Sequence, residues 1–179
     1  AVITPDLYPQ FSWSLGPYLR PSYFDPDRPF RADIGISATG AYRFAPGWIV
    51  AGEVRQRLAG NIEDSGRLSD SVLPPVRTDA VLYARGGDTT MENMYLAKQW
   101  KPSEDTFARV TVGYFEQMYG GVSTELLWKP AESRLGLGIE ASYVKKRNFD
   151  QRFGFQDYDV ATDHVSAYYN IGSSYFAQV

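Results

Sequence analysis

Residues 122–146, VSTELLWKPAESRLGLGIEASYVKK, write an antiparallel hairpin whose two faces differ. In its second half Leu135, Leu137, Ile139, Ala141 and Tyr143 fall on one side of an extended chain, while Gly136, Gly138, Glu140 and Ser142 fall on the other. That is the period of two that defines a strand. The first half repeats it, with Val122, Thr124, Leu126 and Trp128 against Ser123, Glu125 and Lys129. Between them Pro130 fixes φ and offers no N–H to a ladder, so the chain reverses there. One face is apolar and the other is small or charged. Either the apolar face packs on a protein core with bulk water opposite, or it meets lipid and the polar face lines an aqueous lumen.

The same alternation extends in both directions. Phe11, Trp13, Leu15 and Leu19 stand against Ser12, Ser14, Gly16, Tyr18 and Arg20, and a Pro- and Asp-rich connection, PSYFDPDRPF, follows. Over 33–44, Ile34, Ile36, Ala38, Gly40, Tyr42 and Phe44 alternate with polar or small residues, and Ala45-Pro46-Gly47 makes a tight turn. Over 48–58, Trp48, Val50, Gly52, Val54 and Leu58 share one face, and Glu53, Arg55 and Arg57 form a charged row on the other. A polar loop then spans about 59–89, with Val81 to Tyr83 read as a strand extension. Further strands are expected at 90–100 and 106–117, with Tyr119-Gly120-Gly121 as a turn into the hairpin, and at 164–171 after a connection over 147–158. Lys98 falls on an apolar face, which suits it only near an interface where its ammonium can snorkel. A ninth strand is still alternating at Val179, so more strands are expected to follow. The expectation is an all-β, antiparallel up-and-down meander of about 8–9 strands over 1–179, with 1–10 as a lead-in. It forms an outer-membrane β-barrel or part of a larger one.

Composition narrows the alternatives. The chain of 179 residues has no cysteine, which excludes disulfides and thiolate zinc sites, and its net charge of −3 without a basic stripe argues against nucleic acid. Aromatics make up 15%, with tyrosine the commonest, a residue with an apolar body and a wet tip. No apolar run is long enough for a spanning helix.

Two regularities favour lipid over a buried core. Connections after the second, fourth, sixth and eighth strands are short, whereas those after the first, third and seventh are long, as in outer-membrane barrels, with the brief connection after the fifth as an exception. All four tryptophans, Trp13, Trp48, Trp100 and Trp128, lie beside the short turns, together with Phe11, Tyr42, Phe44, Phe107, Tyr169 and Tyr175 or Phe176. A membrane-interface girdle places aromatics in this way.

The runs FSWSLGPYLRPSYFDPDRPFRADIG, VRQRLAGN, SVLPPVRTD, EQMYGGVSTELLWKP and FGFQDYDVATDHVSAYYNIG resemble the YjbH family, whose relatives include GfcD of capsule operons. The resemblance covers nearly the whole chain from Phe11. It implies an outer-membrane, lipoprotein-like β-barrel of Gram-negative bacteria that assists export of exopolysaccharide or capsule polymer. It implies no catalytic residues. Members are longer than this chain, and a leader, a lipidated cysteine and later strands are expected outside it.

The candidate lumen and glycan contacts are Arg43, Glu53, Arg55, Arg57, Tyr95, Arg109, Glu140 and Tyr168, with Tyr18 also placed to stack. Arginine forks can grip acidic sugars and tyrosines can stack on sugar rings. The same charges can instead pair across strands as a purely structural network. His164, the only histidine, has Asp163 on the opposite face, and no G-x-S-x-G elbow occurs, which leaves little for nucleophilic catalysis. Glu125 and Glu140 can face each other across the hairpin, and a lumenal hydrogen-bonding role is preferred to glycosidase chemistry. Asp150, Asp157, Asp159 and Asp163 match no EF-hand spacing and read as a solvated acidic stretch. No metal and no cofactor is expected. The expected partners are exopolysaccharide, outer-membrane lipid and other polysaccharide-secretion proteins. The alternative is a soluble or periplasmic β-sheet module that binds polysaccharide.

Overall fold

The computed structural model describes residues 7–23, 28–64, 72, 74–171 and 176–178. Nine strands follow one another in chain order, each antiparallel to the next: β1 (Gln10–Tyr23), β2 (Phe30–Ala45), β3 (Trp48–Gly60), β4 (Thr89–Ser103), β5 (Thr106–Tyr114), β6 (Tyr119–Trp128), β7 (Leu135–Arg147), β8 (Phe155–Asn170) and β9 (Phe176–Gln178). Among the described residues of the β3–β4 connection are a 3-10 turn (Ile62–Asp64) and one short α-helix, α1 (Ala80–Arg85). The meander is the expected one, but the sheet stays open, with β1 and β9 at its edges. It is nevertheless curved. Arg20 of β1 reaches Gln117 in the β5–β6 turn at 3.3 Å, a contact that a flat sheet would place several strand spacings apart.

The hairpin register keeps the two faces distinct, pairing Leu126 with Ile139 and Glu125 with Glu140. Side chains of the apolar parity point away from the curl and stay uncovered. Trp13 is 71% exposed, Val165 is 77% exposed, and Leu15, Leu19, Ile139 and Leu137 are likewise exposed. Buried positions instead include Arg31, Asp33, Asp79, Lys146 and Arg147. The small apolar core comprises Tyr83, Met118 and Tyr119, flanked by Val144, Phe149 and Tyr158, and forms where the β3–β4 loop folds over the concave face.

Four sequence expectations change. Val81–Tyr83 is helical, because a helical turn sets Asp79 and Tyr83, four residues apart, on one side against the concave wall, where both are buried and bonded to Lys146 and Arg147. Tyr119-Gly120-Gly121 belongs to β6, and the turn lies at 115–118. A Cβ on Gly121 would stand 2.1 Å from the Tyr143 carbonyl oxygen, so this glycine serves close strand approach. The 147–158 connection shrinks to 148–154, since β8 begins at Phe155 with Asp157 and Asp159 on its outer parity, where polar residues on both faces hide the period. The first connection is also shorter, because β1 carries Pro17 and Pro21 to Tyr23 as an edge strand, where a missing N–H is tolerated.

Candidate functional site on the concave wall

Tyr18, Arg20, Asp33, Ser37, Glu53 and Arg55 share the inward parity of β1, β2 and β3, and the register sets Arg20 opposite Asp33 and Ser37 opposite Arg55. Arg20 pairs with the buried Asp33 at 2.8 Å. Arg55 bridges Glu53 at 2.8 Å and Glu92 at 3.1 Å and lies over the Tyr18 ring at 5.1 Å, while Ser37 donates to Glu53 at 2.7 Å. Gln117 extends the chain of bonds, donating to Glu92 at 2.5 Å and accepting from Arg20. Glu92 enters this network through a bulge: Glu53 pairs with Asn93 and Val54 with Met91, so Glu92 has no partner opposite it and turns inward.

Arg57, expected in the same row, points up into the loop. It pairs with Glu63 at 2.7 Å and Asp88 at 2.6 Å, on either side of the β3–β4 connection. Arg43 is not brought to Arg55. Six residues separate it from Ser37, roughly 20 Å along the strand, and it lies exposed near the short-turn rim opposite Gln10.

Lower on the wall, Tyr95, Gln99, Arg109, Thr111, Phe115, Ser123, Glu125, Glu140 and Ser142 line a groove of about 370 Å³. Arg109 pairs with Glu125. Glu140, opposite Glu125, accepts from the hydroxyls of Ser123 at 3.0 Å and Ser142 at 3.2 Å. His164 stands across β7–β8 from Glu140, and Asp163 faces the other way, opposite Ala141. Tyr168 lies over Gly138, whose Cβ position is 3.4 Å from its ring.

The β3–β4 loop is tied to the concave wall beside the groove. Lys146 pairs with Asp79 at 2.7 Å, Tyr119 donates to the Val76 carbonyl at 2.7 Å, and Arg77 forms a two-pronged pair with Glu116 at 3.0 and 2.8 Å. That Glu116 bond raises the Arg77 pKa. Tyr83 donates to the Arg147 carbonyl at 2.5 Å, and burial pushes its phenol well above the usual value. Arg147 itself is 0% exposed. It donates to the carbonyls of Met91, Glu116, Gln151 and Arg152 and lies over the Tyr114 ring at 4.7 Å, joining β4, the β5–β6 turn and the β7–β8 loop. Arg20, Asp33 and Ser37 sit on the polar parity expected for their strands but were not among the candidate contacts. Arg147 was hidden by its assignment to a connection, and Glu92 by the bulge.

On the convex face the expected girdle residues gather beside the short turns. Phe44 stacks with Tyr42 and Trp48, and Lys98 bends to the turn, donating to the Pro46 carbonyl at 3.0 Å with its ammonium 4.9 Å from the Trp48 ring. Gly47, at φ +74°, permits that turn, since a Cβ there would collide with the Gln99 carbonyl. Trp100 and Trp128 are exposed at the neighbouring turns, and Lys101 lies over Phe107 at 5.3 Å. Tyr175 lies outside the described residues, as does the side chain of Phe176. Among the described residues no three His, Cys, Asp or Glu side chains gather as a metal site. Asp159 accepts from Tyr143 at 2.9 Å, and Asp150 accepts from the Arg152 N–H at 3.1 Å.

Residues 3–179 match the family described as exopolysaccharide biosynthesis protein YbjH. The chain is 28% identical over 166 residues to "Uncharacterized lipoprotein YjbH" of Escherichia coli (strain K12), an alignment covering 89% of this chain and 24% of that protein. It therefore spans about a quarter of the relative's length. No solved structure matches it. With this match running nearly end to end over a meander of the expected kind, the chain belongs to the YjbH exopolysaccharide biosynthesis family.

Proposed function

We propose that this chain is one barrel-forming portion of an outer-membrane protein that assists exopolysaccharide export without chemistry of its own. The observation that carries this reading is the inside-out distribution of side chains. Leucine, isoleucine, valine and aromatic residues are uncovered on the convex face, while ion pairs and buried cations occupy the concave one. Hydrocarbon is the solvent that accepts the first face, and a wet lumen accepts the second. The eight long strands run 9 to 16 residues, enough to cross a bilayer when tilted. Tryptophans with snorkelling Lys98 and Lys101 mark one interface, and Tyr23, Phe30 and Tyr143 approach the other. In this reading 1–179 acts as one unit, with the lead-in and the long loop outside the spanning region. Arg55, Glu53, Tyr95, Arg109, Glu140 and Tyr168 face the polymer path, with Arg43 at its short-turn mouth.

The test reconstitutes the full-length protein in vesicles whose acyl chains carry bromine. Tryptophan emission falls and exopolysaccharide yield depends on the intact protein if the reading holds. A full-length protein that is monodisperse in detergent-free buffer, with unquenched tryptophans, would overturn it in favour of a periplasmic sheet that binds polysaccharide.

A further inference from the structure

We infer that the groove around Tyr95, Phe115 and Glu140 accepts neutral or amine-bearing sugar units and disfavours uronate and other acidic ones. This rests on the reading of the concave face as the polymer path and specifies the class of polymer that the path admits. An acidic sugar needs a cation to receive it, and the cations near the groove are already engaged. Arg109 is held by Glu125, Arg55 by Glu53 and Glu92, and Arg77 by Glu116. Capturing a uronate would break one of these pairs and leave a carboxylate uncompensated.

The acidic side is in excess. Glu125 and Glu140 stand directly opposite each other, yet only Glu125 has a cation. Among the described residues Glu140 is bonded by Ser123 and Ser142 hydroxyls alone and has no cationic partner. A sugar hydroxyl or ammonium satisfies that carboxylate by a charge-assisted bond. Tyr95 and Phe115 supply apolar ring area in the same groove, Gln99 and Thr111 supply neutral donors and acceptors, and the volume of about 370 Å³ suits a few sugar rings. Aromatic area with neutral polar groups and one unspent carboxylate matches a neutral or amino sugar chain.

The test uses the full-length protein in detergent, with glucosamine, glucose and galacturonate oligomers of equal length as probes in calorimetry. Glucosamine oligomers bind most tightly, glucose oligomers next and galacturonate oligomers weakest. Glu140→Gln lowers glucosamine affinity by about tenfold and glucose affinity by a smaller factor, since a hydroxyl loses only the charge assistance of its bond. Arg109→Gln, which frees Glu125, raises glucosamine affinity, so the two variants move in opposite directions while both remain folded by circular dichroism. Tightest binding of galacturonate, or no oligomer binding by a folded protein, overturns the inference. Because bromolipid quenching is read separately, either result leaves the membrane assignment standing, whereas loss of quenching removes the assignment itself.

Discussion

At the scale of single residues, two arginines on the same wall are expected to behave differently because their surroundings differ. Arg147 is sealed from water and shares its donors among four carbonyls from three separate segments, so truncation strands several buried acceptors at once. Arg147→Ala is expected to cost about 3 kcal/mol or more, read as a lowered urea midpoint of the full-length protein in detergent. Arg109 makes one pair with Glu125, and both side chains are well exposed to the groove. Arg109→Gln is therefore expected to cost no more than about 1 kcal/mol in the same measurement. Equal losses at both sites would mean that the buried fork does not hold the three segments together.

At the scale of elements, the β3–β4 loop is the part that departs most from a plain meander, and α1 is its anchor. The Tyr83 phenol is kept protonated in the folded state chiefly by burial, with Asp79 and Tyr119 adding to the effect. The folded chain therefore holds this proton to higher pH than the unfolded chain, which releases it near the ordinary phenol value of 10.0. Its contribution is intact below that pH and declines as pH rises toward the elevated folded value. Protease cleavage within 74–88 is expected to accelerate above pH 10 in the native chain, and Tyr83→Phe should flatten the alkaline rise. The substitution should also cost about 1 kcal/mol at neutral pH for the lost bond to the Arg147 carbonyl. The same element shows where sequence reading stops. Strand parity was legible wherever one face is apolar, which recovered the hairpin register and the shared face of Glu53 and Arg55 on β3, while Arg57 left that row for the loop. It failed at α1, a six-residue helix whose pattern is too short to show a period. It failed again at Glu92 and around β8, where a bulge or outward carboxylates break the alternation. Arg43 sat on the correct face, but parity says nothing of height along a strand.

For the molecule as a whole, the decisive quantity is the solvent on the convex face. Ile139 sits mid-strand on β7, exposed, with Leu126 on one side and Val165 on the other, so its surroundings are apolar in every direction along the sheet. If that face lies in hydrocarbon, Ile139→Arg near the midplane should destabilise the vesicle-embedded protein by about 2–4 kcal/mol, measured by denaturant titration. Thr162 supplies the control. It lies on the inward parity of β8 opposite Ser142 and is exposed on the concave side, so an arginine there projects into water. Thr162→Arg should cost less than about 1 kcal/mol in the same vesicles. The difference between two identical charges on opposite parities isolates the solvent from strand propensity, since both positions lie in long strands of one sheet. Were Ile139→Arg tolerated as well as Thr162→Arg, the convex face would be bathed in water in the working protein, and the export portion of the proposal would fail with it.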